Sequence, residues 1–131
     1  MTGKESQDTI SHWAEETFPG PADDPARGQR AQALKLIGEA VELAYALGCT
    51  RREIEDDGMH AARSRFNWTE RRPEPDNVGK EIGDCAIVLA VLAGRTGHSI
   101  GAEVDAAMAT NRKRTWKVDA SGSAQHKEVK P

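Results

Sequence analysis

Four carboxylates carry the chemistry this sequence offers. Glu39 and Glu42 stand three residues apart, and so do Glu81 and Asp84. On a helix, i, i+3 neighbours lie about 60° apart, so each pair shares one face. Around the first pair, Leu36, Ile37, Ala40, Val41, Leu43, Ala44 and Leu47 form a broad apolar face, while Lys35, Glu39 and Glu42 occupy the opposite stripe. From Ile82 to Ala93 the second segment is apolar nearly all round apart from Asp84. Asp84 therefore reads as a carboxylate in a buried helix, which needs a partner. An arginine is one such partner and a metal ion another. Taken alone, Glu39 and Glu42 also suit a solvated helix face. Taken together, four converging carboxylates repel one another, and a hard, oxygen-ligated cation, Mg2+ or Mn2+, is the natural compensation. Zn2+ prefers His or Cys, and a di-iron bundle uses Glu-x-x-His motifs that neither acid pair supplies. Gly38 and Gly83 leave room for close approach beside each pair.

The elements that position these residues are legible from their caps. A first helix is expected over Asp8–Thr17, ahead of the Phe18-Pro19-Gly20-Pro21 break. Asp24 before Pro25 opens a long helix that Gly48 closes. Thr50 with Glu53 forms a capping box for a third helix reaching Phe66, and residues 67–75 form a connecting loop. Asp76 is expected to cap a fourth helix to Ala93, and Ser99 a fifth from Ile100 to Arg114. The remaining residues read as a polar tail, either mobile or ordered over a ligand. The expected fold is all-α, a four- to five-helix bundle in a single domain (1–131), with a core at 10–116 and a tail at 117–131.

Composition narrows the function classes. With 131 residues, the chain suits one domain that folds without disulfides or a structural metal. A net charge of −3 argues against binding nucleic acid by bulk charge, and 5% aromatics disfavour an all-β domain. Cys49 and Cys85 lie far apart without a CxxC, and read as reduced, buried thiols. The first residues lack the apolar core of a signal peptide, and no apolar run is long enough to span a bilayer. A cytoplasmic protein without membrane or nucleic-acid partners is expected.

Glu39-x-x-Glu42 followed by Glu81-x-x-Asp84 resembles the ExxE…ExxD signature of the MazG-like all-α nucleoside triphosphate pyrophosphohydrolases. Lys35–Leu43 and Lys80–Ala90 resemble that superfamily's two core helices, and Met108–Trp116 its C-terminal helix. Trp13-Ala14-Glu15-Glu16-Thr17-Phe18 is similar to the first helix of the phage and bacterial branch that acts on dGTP and dATP. The resemblance spans Ile10 to Trp116. The segment from Thr50 to Asn77 departs from it, being longer and more basic than the shortest members' linkers.

The resemblance implies hydrolysis between the α and β phosphates of a (deoxy)nucleoside triphosphate, giving a monophosphate and pyrophosphate. Glu39, Glu42, Glu81 and Asp84 would hold Mg2+ or Mn2+, with Glu39 or Glu42 activating the attacking water. Asn111, Lys113 and Arg114 would face the phosphates. Lys35 either touches a phosphate or pairs with Glu39 one turn on. Trp13 and Trp116 either pack on the base or anchor the core. The resemblance also implies a homo-oligomer, dimer or tetramer. Two other readings are a phosphoribosyl-ATP pyrophosphatase-like enzyme and a non-enzymatic helical or DNA-associated module using Asn111–Arg114.

Overall fold

Each of the expected caps is a contact between residues three apart, and most form. In the computed structural model, which describes residues 3–59 and 69–126, α1 runs Gln7–Thr17. It starts one residue earlier than expected, because Ser6 and Thr9 cap each other reciprocally. α2 covers Pro25–Ala46, with the Asp24 carboxylate accepting from the Arg27 N–H. Gly48 follows at φ +93°, a left-handed position that closes the helix. The Thr50–Glu53 box forms in both directions. It leads into α3, a π-helical stretch over Glu53–Gly58. Residues 60–66 of the expected third helix lie outside the described residues.

α4 runs Pro75–Arg95 and α5 runs Ile100–Asn111. α4 begins at Pro75 rather than after Asp76, since proline at the first helical position needs no N–H partner. α5 ends three residues before the expected Arg114. There the chain tightens: the Lys113 and Arg114 N–H groups reach back three residues, to the carbonyls of Thr110 and Asn111.

The expected polar tail contains a β-hairpin, a correction to the sequence reading. β1 (Trp116–Val118) pairs antiparallel with β2 (Ala124–His126). Asp119 shapes the turn, its Oδ1 accepting from the Ser121 N–H and hydroxyl and from the Ser123 N–H. Gly122 sits at φ +80° in that turn, against the backbone of Pro19 and Gly20. Helix accounts for 65% of the chain and strand for very little, so the all-α class holds.

The chain divides into two compact units, Met1–Gly20 with Glu74–Pro131, and Pro21–Pro73. In the first, Met108 and Ala124 are buried, and Trp13, Phe18 and Trp116 meet edge-on or tilted at centroid distances of 5.2–5.9 Å. The second holds α2 and α3. Neither α2 nor α4 has a buried residue. The expectation that α4 is a buried helix is therefore not met: Ile82, Ile87 and Val88 are each over 60% exposed. The cysteines depart from expectation in the same way, with Cys49 half-buried, Cys85 exposed and both free. Among the described residues, no single helix is long and apolar enough to cross a membrane.

Candidate functional site

The acid pairs are exposed, and each has a lysine on its own helix. On α2, Lys35 Nζ stands 3.6 Å from Glu39 Oε1, the i, i+4 pairing that was one of its two expected roles. Glu42, one turn further, lines an open groove of about 800 Å3 together with Val41, Tyr45, Cys49 and Ile54. On α4, Lys80 Nζ donates to Asp84 Oδ2 at 2.9 Å and lies 3.6 Å from Glu81 Oε1. The hydrogen bond to Asp84, with the charge of both acids, raises the Lys80 pKa above the ordinary lysine value. Asp84 thus finds its partner one turn away on its own helix, and its side chain is 53% exposed. The deep burial that made a distant arginine or a metal obligatory is absent.

Glu39 and Glu42 belong to one compact unit, Glu81 and Asp84 to the other. Among the described residues, no three His, Cys, Asp or Glu side chains stand close enough to hold a metal ion. What the structure provides is two separate carboxylate pairs. Each is an all-oxygen donor set open to solvent and balanced by an exposed lysine ammonium, which an arriving cation can displace at small cost. That chemistry fits Mg2+ or Mn2+ and does not fit a soft metal.

The C-terminal end of α5 carries the basic residues. Lys113 and Arg114 are exposed, and Arg114 NH1 donates to Asn111 Oδ1 at 3.2 Å. Arg112, between them and the helix, turns the other way. Its Nε and NH2 grip both carboxylate oxygens of Glu5, at 3.1 and 2.9 Å. Glu5 is only 7% exposed and also accepts from the Thr9 hydroxyl at 2.7 Å. The Arg112 fork, more than any other contact, holds its carboxyl below the usual glutamate range. Asp105 completes the clasp, its two oxygens accepting from the Lys4 and Glu5 N–H groups at 2.9 Å each.

Trp13 and Trp116 lie in the aromatic cluster, in contact with each other and with Phe18. The Trp116 indole N–H donates to the Asn111 carbonyl at 3.1 Å, which ties the hairpin to the end of α5. Sequence reasoning missed the Glu5–Arg112–Asp105 clasp. Its partners are 100 or more residues apart, and no local spacing announces them. Compared with protein-family models, curated proteins and solved structures, the chain finds no match.

Proposed function

We propose that this chain is a metal-dependent (deoxy)nucleoside triphosphate pyrophosphohydrolase, cutting between the α and β phosphates of a substrate that is preferentially a purine deoxynucleotide. One observation carries the reading. Two i, i+3 carboxylate pairs sit exposed on two long helices, each pair with a lysine within one turn of at least one of its acids. The Glu39–Glu42 pair alone suits a solvated face; its recurrence at the same spacing on a second, largely apolar helix is what favours ligation. The spacing resemblance to the MazG-like enzymes adds the reaction type.

Bound Mg2+ or Mn2+ would supply charge neutralisation to the triphosphate, with the Glu39–Glu42 pair and the Glu81–Asp84 pair each offering carboxylate oxygens as ligands. The chain's own residues do the rest. Glu39 or Glu42 accepts a proton from the water that attacks the α phosphorus. Lys113 and Arg114 take phosphate oxygens through N–H donors, and Asn111, already bonded to Arg114, orients that guanidinium. Lys35, 3.6 Å from Glu39, would be available to a phosphate oxygen with Glu39 engaged as a ligand. A triphosphate bound at several points is held in line for displacement, which is where most of the rate comes from in phosphoryl transfer.

Assembly belongs to the same proposal. α2 and its C-cap expose Leu34, Leu36, Ile37, Val41, Leu43 and Leu47, and α4 exposes Val78, Ile82, Ile87, Val88, Leu89 and Val91. Apolar surface of this extent marks a contact face, and a second copy of the chain is the occupant proposed for it. The testing experiment incubates the protein with Mg2+ or Mn2+ and a panel of nucleoside triphosphates, resolving pyrophosphate from orthophosphate. Pyrophosphate with the matching monophosphate is expected. Stepwise orthophosphate release, or no turnover on any member of the panel, overturns the reading.

A further inference from the structure

Three features compete for a role that the proposed chemistry leaves unused: the open groove beside Glu42, the apolar helix faces, and the clasp at the end of α5. The groove borders Glu42, which the proposed chemistry already uses, and the helix faces belong to the assembly already proposed. The clasp is different, because its geometry acts on particular residues.

Lys113 and Arg114 occupy a short turn between α5 and β1 that is pinned on both sides. On the helix side, Arg112 is held by a two-pronged ionic hydrogen bond to Glu5, whose own backbone N–H is capped by Asp105. On the hairpin side, Trp116 is held by its indole bond to the Asn111 carbonyl and by its contacts with Trp13 and Phe18. That carbonyl also accepts from the Arg114 N–H. The two cations between the pins are exposed; Arg112, itself 41% exposed, differs from them in being tied up by both oxygens of Glu5. A run of three basic residues is thereby sorted into one anchor and two presented donors.

We infer that Glu5 is a positioning residue for an anion-gripping turn, fixing Lys113 and Arg114 through Arg112 so that they meet a polyphosphate chain in one orientation. The inference rests on the reading of Lys113 and Arg114 as phosphate contacts. Glu5 touches no substrate. It prevents Arg112 from drifting onto the anion and keeps the turn from unwinding, so the cost of ordering the turn is met before the ligand arrives.

The test uses the full-length protein with Mg2+ and inorganic triphosphate as probe, followed by tryptophan fluorescence, since Trp116 adjoins the turn. Steady-state kinetics are measured in parallel on the best nucleotide of the panel. Glu5→Gln, folded by circular dichroism, is expected to weaken triphosphate binding and raise KM about tenfold, with kcat within about twofold. The exchanged pair, Glu5→Arg with Arg112→Glu, is expected to recover most of that loss. The double variant Lys113→Ala, Arg114→Ala is expected to lose binding altogether. Should Glu5→Gln fail to fold, Arg112→Lys, which keeps the charge and loses the fork, carries the same expectation. A purely structural clasp lowers the melting temperature and leaves KM alone. If Glu5→Gln binds as tightly as wild type while the double variant does not, the positioning role falls and the phosphate reading survives. If the double variant binds like wild type, or wild type binds no triphosphate, the turn is not an anion site and both fall.

Discussion

Replacing Asp84 by Asn separates a structural carboxylate from a ligating one. In a buried helix the change would strand a cation and destabilise the protein severely. The geometry removes that expectation. Asp84 is 53% exposed, its partner Lys80 is 68% exposed, and Lys80 keeps Glu81 at 3.6 Å when Asp84 is neutralised. An exposed i, i+4 pair contributes little to stability, so the metal-free variant should melt within about 2 °C of wild type. The effect should appear on adding metal. A cation at one hundred times its dissociation constant stabilises the native state by about 2.7 kcal/mol. For a chain of this size that is a rise of about 10 °C in melting temperature. Asp84→Asn should lose most of that rise, and turnover should fall at least roughly 100-fold. Calorimetry with and without about 5–10 mM Mg2+, run beside a pyrophosphate-release assay, reads both quantities. A variant that melts far below wild type without metal, yet turns over at the wild-type rate, would refute the assignment of Asp84 to the site.

Gly122→Ala should destabilise by about 2–4 kcal/mol, because it forces a β-carbon into a left-handed position and against a backbone that cannot yield. The added atom would lie 2.7 Å from Gly20 Cα, whereas at Gly48 (φ +93°) it would meet nothing within 4 Å. Gly48→Ala should therefore cost only about 1 kcal/mol, and denaturant melts that rank the two alike would show that the hairpin does not dock on Pro19–Gly20. The N-terminal clasp should open in acid: the pKa of Glu5 is lowered in the folded chain, so its contribution is full above the ordinary glutamate value of 4.5 and is lost as pH falls through the folded pKa. Melting temperature followed downward from about pH 6 should fall more steeply for wild type than for Glu5→Gln, and parallel curves would contradict this. Among nucleotides, dGTP or dATP should be turned over faster than dCTP or dUTP; equal or better pyrimidine turnover would overturn the purine preference.

What the sequence determined by itself is what neighbours along the chain decide between them. Asp24 with Pro25, Thr50 with Glu53, and Ser99 cap their helices through bonds spanning three residues, and each was readable because its partner is three positions away. The Lys35–Glu39 pair follows from helix pitch in the same way. Tertiary structure decided everything that depends on residues the chain must fold to bring together. Arg112 looked like one more cation in a basic run until Glu5, 107 positions away, took it out of use. Trp13 and Trp116 carried no sign of each other, and the closing hairpin was hidden in a polar stretch whose only signal was Asp119 and Gly122 in a turn. The burial of α4 was misread for the converse reason. An apolar period says which side chains seek cover and is silent on what covers them, and in the folded chain Asp84 needs no more than the lysine one turn away.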